Sequence, residues 1–95
     1  MSVQQDFADL IKSQSEIWQA QIKEYHEQLS RGSEQARAEY KKAVAQMETN
    51  AQEARKLFEK VHSANESAWK DMHSAAQKGL AELQKGWADA VSRFK

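Results

Sequence analysis

The stretch Phe58-Glu59-Lys60-Val61-His62-Ser63-Ala64-Asn65-Glu66-Ser67-Ala68-Trp69 carries two opposed signals. Ser63 and Asn65 are residues that favour the N-terminal cap of a helix, which argues for a break. Yet the apolar stripe runs through 58, 61, 65, 69 and 72 without losing helical phase, and a turn is expected to reset that phase. The stripe therefore predicts one helix over about 34–94, with a second break near 63–66 as the alternative. If the helix is continuous, Asn65 is a polar residue on the apolar seam, of the kind that fixes register and oligomer state. If the chain turns, Asn65 is a cap.

Outward from this stretch the pattern is consistent. Downstream it continues as Trp69, Met72, Ala76, Leu80, Leu83, Trp87, Val91 and Phe94; upstream it includes Met47, Ala51 and Ala54. Two columns, Phe58-Trp69-Leu80-Val91 and Val61-Met72-Leu83-Phe94, each advance by eleven residues. An eleven-residue repeat means a straight or slightly right-handed coil. Nearer the N-terminus, Phe7, Ile11, Gln14, Trp18, Ile22, Tyr25 and Leu29 form a matching stripe. Ser30-Arg31-Gly32-Ser33 then places Gly where helices end and Ser where they begin. A first helix over about 3–30 follows, with a turn at 31–33 and Ser2-Val3-Gln4-Gln5 as a capping box. No alternation of period two occurs, so strands are not expected.

Composition agrees. The 95 residues hold no Pro or Cys and only three Gly, while Ala, Gln, Glu and Lys, all good helix formers, dominate. The absence of Cys excludes disulfides and thiolate metal sites. Leu, Ile, Val and Phe together number only 15, few for a self-contained core. Fourteen basic and fourteen acidic residues cancel, which removes the basic face expected of a nucleic-acid binder. The acids gather early: Asp6, Asp9, Glu16, Glu24 and Glu27 outnumber Lys12 and Lys23 in the first thirty residues. That asymmetry suits an acidic first helix packing on a basic later one. The i,i+4 pairs Glu27–Arg31, Glu66–Lys70 and Asp89–Arg93 are well placed on the outer faces. No apolar run is long enough for a transmembrane segment, and the start lacks a secretory signal, so the expected location is cytoplasmic.

The two-helix reading has a geometric consequence. A helix of about 60 residues is about 90 Å long, and a first helix of about 27 residues covers only about 40 Å of it. The uncovered half of the stripe requires a homo-oligomer, a protein partner or a peripheral lipid or granule surface. A monomeric three-helix bundle requires none of these.

Candidate chemistry is sparse. Glu59-Lys60-Val61-His62 is one Glu-x-x-His unit of the kind di-iron bundles use in pairs, but the chain holds no second copy. His62 and His73 share a face but stand about 16 Å apart along a continuous helix. No Gly-rich phosphate loop or nucleophile elbow is present. The reading is therefore a non-enzyme with no metal and no cofactor. Gly79 and Gly86, seven apart on one face, each cost a helix about 1 kcal/mol. Their presence fits either a tolerant chain end or the close approach of another helix. The expected helix–helix interface comprises Phe7, Ile11, Trp18, Ile22, Tyr25, Phe58, Val61, Trp69, Met72, Leu80, Leu83, Trp87, Val91 and Phe94. Contact of its three Trp with a lipid or granule surface is the alternative, although such helices usually carry a more basic polar face.

The segments Glu66-Ser67-Ala68-Trp69-Lys70-Asp71-Met72, Leu80-Ala81-Glu82-Leu83 and Trp87-Ala88-Asp89-Ala90-Val91-Ser92-Arg93-Phe94-Lys95 resemble the C-terminal part of a family of short bacterial coiled-coil stress-response proteins. Gln35-Ala36-Arg37-Ala38-Glu39-Tyr40 is similar to that family's middle section. The family repeats an Ala-Trp-acid pattern at eleven-residue spacing and ends in Arg-Phe. Here Leu80 stands eleven after Trp69, and the next Trp, Trp87, comes eighteen after. The resemblance implies an all-α coiled coil, a cytoplasmic setting, a stress role and no catalytic residues. Phasins, which coat polyester granules, are similar in their amphipathic Ala/Gln/Glu/Lys helices but share no distinctive motif. Small secreted helical hairpins match in length, but their Trp-x-Gly turn is absent from Arg31-Gly32-Ser33. The expectation is thus an all-α, non-enzymatic structural or interaction protein of amphipathic helices, a helical hairpin or coiled coil that oligomerises, with a monomeric three-helix bundle and a phasin-like coat as the alternatives.

Overall fold

The computed structural model of the chain describes residues 2–94. It consists of three α-helices in sequence: α1 (Val3–Arg31), α2 (Glu34–Ser63) and α3 (Glu66–Ser92). No strand occurs among the described residues. α1 and α2 are antiparallel, as are α2 and α3, so α1 and α3 run parallel; the whole measures 51 × 19 × 15 Å.

The expected turn after α1 is present, and the continuous helix over 34–94 is not. The chain breaks at Ala64 and Asn65, both in extended backbone conformation. Asn65 is exposed and caps α3, its Oδ1 accepting from the Ala68 N–H at 2.8 Å. The Ser63 hydroxyl donates back to the Glu59 carbonyl at 2.7 Å. The decisive contribution is remote in sequence. The Gln4 side-chain amide donates to the Val61 and Ala64 carbonyls at 2.8 and 2.7 Å, so the start of α1 satisfies the end of α2. Phase continuity did not distinguish the two readings, because every helix of a bundle must turn its stripe to the same central axis.

Two local expectations are refined. Ser2 caps α1 by accepting from the Gln5 N–H at 3.0 Å, but the Gln5 side chain donates to Asp9 and leaves the capping box half made. Gly32 ends α1 with an ordinary negative φ of −78°, so it is not there for a left-handed cap. Its missing Cβ makes room for the Tyr40 ring, which an added methyl would approach to 3.3 Å.

The core is Ala-rich on one side and aromatic on the other. Small residues, including Ala8, Ser15, Ala43, Ala51 and Ala54, are buried and let α1 and α2 approach closely. α1 and α3 approach least closely, and large rings fill the gap between them. Accessible surface totals 6519 Å², against about 5,600 Å² for a compact monomer of this mass. A slender rod has little interior, which is why much of the stripe is half-buried.

Candidate interaction surface

The parallel helices α1 and α3 meet through a ladder of aromatic pairs. At one end Phe7 packs against Trp69 at 5.9 Å between ring centroids. In the middle Trp18 stacks on Trp87 at 5.0 Å with planes only 10° apart, and both are buried. At the other end Tyr25 meets Phe94 at 4.6 Å, and Phe94 stacks in turn on Tyr40 of α2 at 4.3 Å. Each such pair contributes about 0.5–1.5 kcal/mol beyond the apolar area it buries. Polar residues close the flanks. Gln84 donates to Gln14 across α1 and α3 at 3.4 Å. Asn50 of α2 donates to the Leu83 carbonyl at 2.8 Å, and Gln46 donates to the Gly86 carbonyl at 3.0 Å.

All fourteen residues expected at a helix–helix interface lie inside this bundle. Ile11, Trp18, Val61, Leu80 and Trp87 are buried. Phe7, Ile22, Tyr25, Phe58, Trp69, Met72, Leu83, Val91 and Phe94 are half-buried and pack against that core. The stripe is covered by the chain itself, so the geometric reason for assembly given by a 90 Å helix no longer applies.

The two glycines divide between the alternatives. A Cβ on Gly86 would lie 3.1 Å from the Asn50 amide nitrogen, so this glycine marks a close approach of α2. A Cβ on Gly79 would meet only Leu57, at 3.8 Å, an ordinary contact.

The charged positions form few links. Asp89–Arg93 lies within 4.0 Å, and Arg93 also reaches Glu39 of α2 at 3.4 Å. Among the described residues neither Glu27–Arg31 nor Glu66–Lys70 is an ion pair; the other pairs there are Arg55–Glu59 and Lys56–Glu53, and the His26 ring meets the Glu48 carboxylate at 3.1 Å. Among the described residues no α1 carboxylate forms an ion pair with a base of another helix, so the charge asymmetry between the first helix and the later ones is not expressed as direct pairs. Glu59 faces Arg55 at 4.0 Å while His62 stacks on Phe58, and among the described residues no three potential ligands converge. A cleft of about 260 Å³ between α1 and α2 is lined by Lys12, Glu16, Gln19, Arg55 and Glu59 with Ser15 and Phe58, and its two bases and two acids balance.

One surface feature was not anticipated. Val3, Leu10 and Ile17 are 66%, 51% and 52% exposed. They lie seven residues apart, so they form one line on the outer face of α1, beside the aromatic seam. The 3-10-17 spacing is visible in the sequence, but the stronger 7-11-18-22-25 stripe masks it. No family model matches the chain, and neither characterised proteins nor solved structures give a match. Among the described residues no helix is long and apolar enough to cross a membrane.

Proposed function

We propose that the chain is a non-enzymatic helical interaction module of the cytoplasm, acting by docking of a protein surface on the outer face of α1. The observation that supports this reading is the exposed Val3–Leu10–Ile17 line. Isolated exposed apolar residues need no explanation, but three in register along one helix face, about 10 Å apart and beside the half-buried Phe7, form a line of the kind that partners cover. The partner is either a further copy of the chain or another helical protein. A role under stress rests on the resemblance of segments 66–72, 80–83 and 87–95, with 35–40, to the coiled-coil stress-response proteins.

The test is photo-crosslinking from position 10 in cells. A photoreactive phenylalanine analogue replacing Leu10 is expected to capture a defined protein, whereas the same analogue replacing Gln52, exposed on α2, captures none. Equal labelling from both positions, or none from position 10, overturns the reading.

The half-buried aromatic seam favours a second reading, a phasin-like coat that opens between α1 and α3 on a lipid or polyester surface. Opening would expose Phe7, Trp69, Tyr25 and Phe94 together. A blue shift of Trp emission on adding vesicles or granules supports it; constant emission over a wide lipid range excludes it.

A further inference from the structure

Away from the α1 docking face, we propose that the cleft between α1 and α2 is a binding site for a small zwitterion with an apolar side chain, the chemistry of a free hydrophobic α-amino acid. The observation that carries this is Ser15. It is only 6% exposed and is the one buried polar residue among those described. Elsewhere the small buried positions of α1 and α2 hold alanine: Ala8, Ala43, Ala51 and Ala54. Packing asks only for small size there, and alanine is the better helix former. A helical serine can turn its hydroxyl back to the carbonyl four residues earlier, as Ser63 does to Glu59 at 2.7 Å. The Ser15 hydroxyl makes no such bond, nor any other within the described residues, yet no buried side-chain oxygen there is sealed off without a partner. It therefore opens on the cleft that Ser15 lines.

The rest of the lining selects the ligand's chemistry. Phe58 is half-buried and gives the cleft an apolar wall. Around the mouth stand two bases and two acids. Gln4 meets α2 at Val61 and Ala64, and His26 meets Glu48, so the antiparallel register sets Lys12 level with Glu59 and Glu16 level with Arg55. No ion pair of the described residues closes the cleft: Lys12 and Glu16 are in none, and Arg55 and Glu59 meet each other only along α2, at 4.0 Å. A ligand of single charge, of either sign, would meet as much repulsion as attraction. A neutral apolar one would strip water from four charges and return no hydrogen bond. A molecule with one carboxylate and one ammonium answers both signs. Its carboxylate accepts from the Ser15 hydroxyl beneath Lys12 and Arg55, its ammonium faces Glu16 or Glu59, and its side chain lies on Phe58. The cleft volume of about 260 Å³ falls just below the range of roughly 300–1,000 Å³ that holds drug-sized ligands, and suits a single amino acid.

Titration of the full, isotope-labelled chain with L-phenylalanine, followed by backbone amide chemical shifts, tests this. Saturable shifts confined to residues near 12–19 and 55–59 are expected. Hydrocinnamate, which lacks the ammonium, and L-phenylalaninamide, which lacks the carboxylate, should each bind at least about ten-fold more weakly, since each loses a charge-assisted hydrogen bond. Ser15→Ala should weaken L-phenylalanine by a similar factor while the urea midpoint holds or rises, because alanine fills the same space and favours helix. That second readout separates a lost binding group from a damaged fold. No saturable shift up to the solubility limit of L-phenylalanine means that water alone fills the cleft, and overturns the site. Equal affinity for the three compounds overturns the zwitterion, and binding that Ser15→Ala leaves untouched overturns the assignment to this cleft. Ser15 and Leu10 project about 140° apart around α1, so the outcome is independent of crosslinking from position 10.

Discussion

Replacing the two α3 glycines by alanine should have different effects: a gain in stability at Gly79 and none, or a loss, at Gly86. An alanine in a helix interior is favoured over glycine by about 1 kcal/mol. At Gly79 the new methyl meets only the Leu57 Cδ2 atom at 3.8 Å, so the full gain should be realised. For a domain of this size about 1 kcal/mol corresponds to a rise in Tm of about 4–8 °C. At Gly86 the same methyl lies 3.1 Å from the Asn50 Nδ2 and 3.3 Å from its Oδ1. Asn50 must then swing away from the Leu83 carbonyl it now holds at 2.8 Å. Losing that half-buried hydrogen bond costs about 1 kcal/mol, and the displaced amide crowds the α2–α3 contact where Gln46 also bonds Gly86. Gly86→Ala should therefore be neutral to about 1 kcal/mol destabilising. Urea melts followed by circular dichroism at 222 nm separate these outcomes. In a double-mutant cycle, Asn50→Ala should restore part of the helix gain of Gly86→Ala, with a coupling of about 0.5–1 kcal/mol. An increase in Tm for Gly86→Ala equal to that for Gly79→Ala, with no coupling to Asn50, would refute the close approach of α2 at Gly86.

Three further changes probe the joints of the bundle. Asn65→Ala removes the side chain that accepts from the Ala68 N–H and should cost about 1 kcal/mol, read as a lower urea midpoint at unchanged m-value. Gln4→Ala strips two hydrogen bonds from the end of α2; a loss of about 1–3 kcal/mol is expected, with faster amide exchange confined to residues near 61–64. No change in exchange there would mean that α2 ends without help from α1. Trp18→Ala deletes one half of the buried Trp18–Trp87 stack and should cost about 3–5 kcal/mol, enough to leave a marginal domain largely unfolded near physiological temperature. A cooperative melt within a few degrees of the parent would show that α1 and α3 are not joined through these rings. By contrast, Glu48→Gln at the exposed His26–Glu48 contact should change stability by less than about 0.5 kcal/mol.

The helical class and the inward faces were legible because they depend on local terms. Residues with good helix propensity, and apolar side chains every three or four positions, act over one or two turns. So do Ser2, Ser33 and Asn65, whose hydroxyl or amide oxygens accept from backbone N–H groups three residues ahead. Each of these signals stands in the sequence whatever the rest of the chain does. The second break did not follow from them, since the stripe on either side of Ala64 and Asn65 points to one axis whether the chain runs on or folds back. What decided it was closure. Folding back lets Gln4 satisfy the Val61 and Ala64 carbonyls and sets Phe7, Trp18 and Tyr25 against Trp69, Trp87 and Phe94. Those partners lie about 60 to 70 positions apart in the chain, beyond any local rule.

The candidate surface divides in the same way. Its residues could be counted at 3, 10 and 17, but whether they are covered depends on where α3 lies around α1. That position is set by side-chain size. Small residues draw α2 close to α1, while stacked indoles hold α3 further out, and Val3, Leu10 and Ile17 remain in water. Sequence alone determined that the chain is helical and which faces it buries, because propensity, capping and periodicity are local; only the tertiary structure decided where the second helix ends and which apolar residues were left over, because both depend on side chains that meet only after the chain has folded.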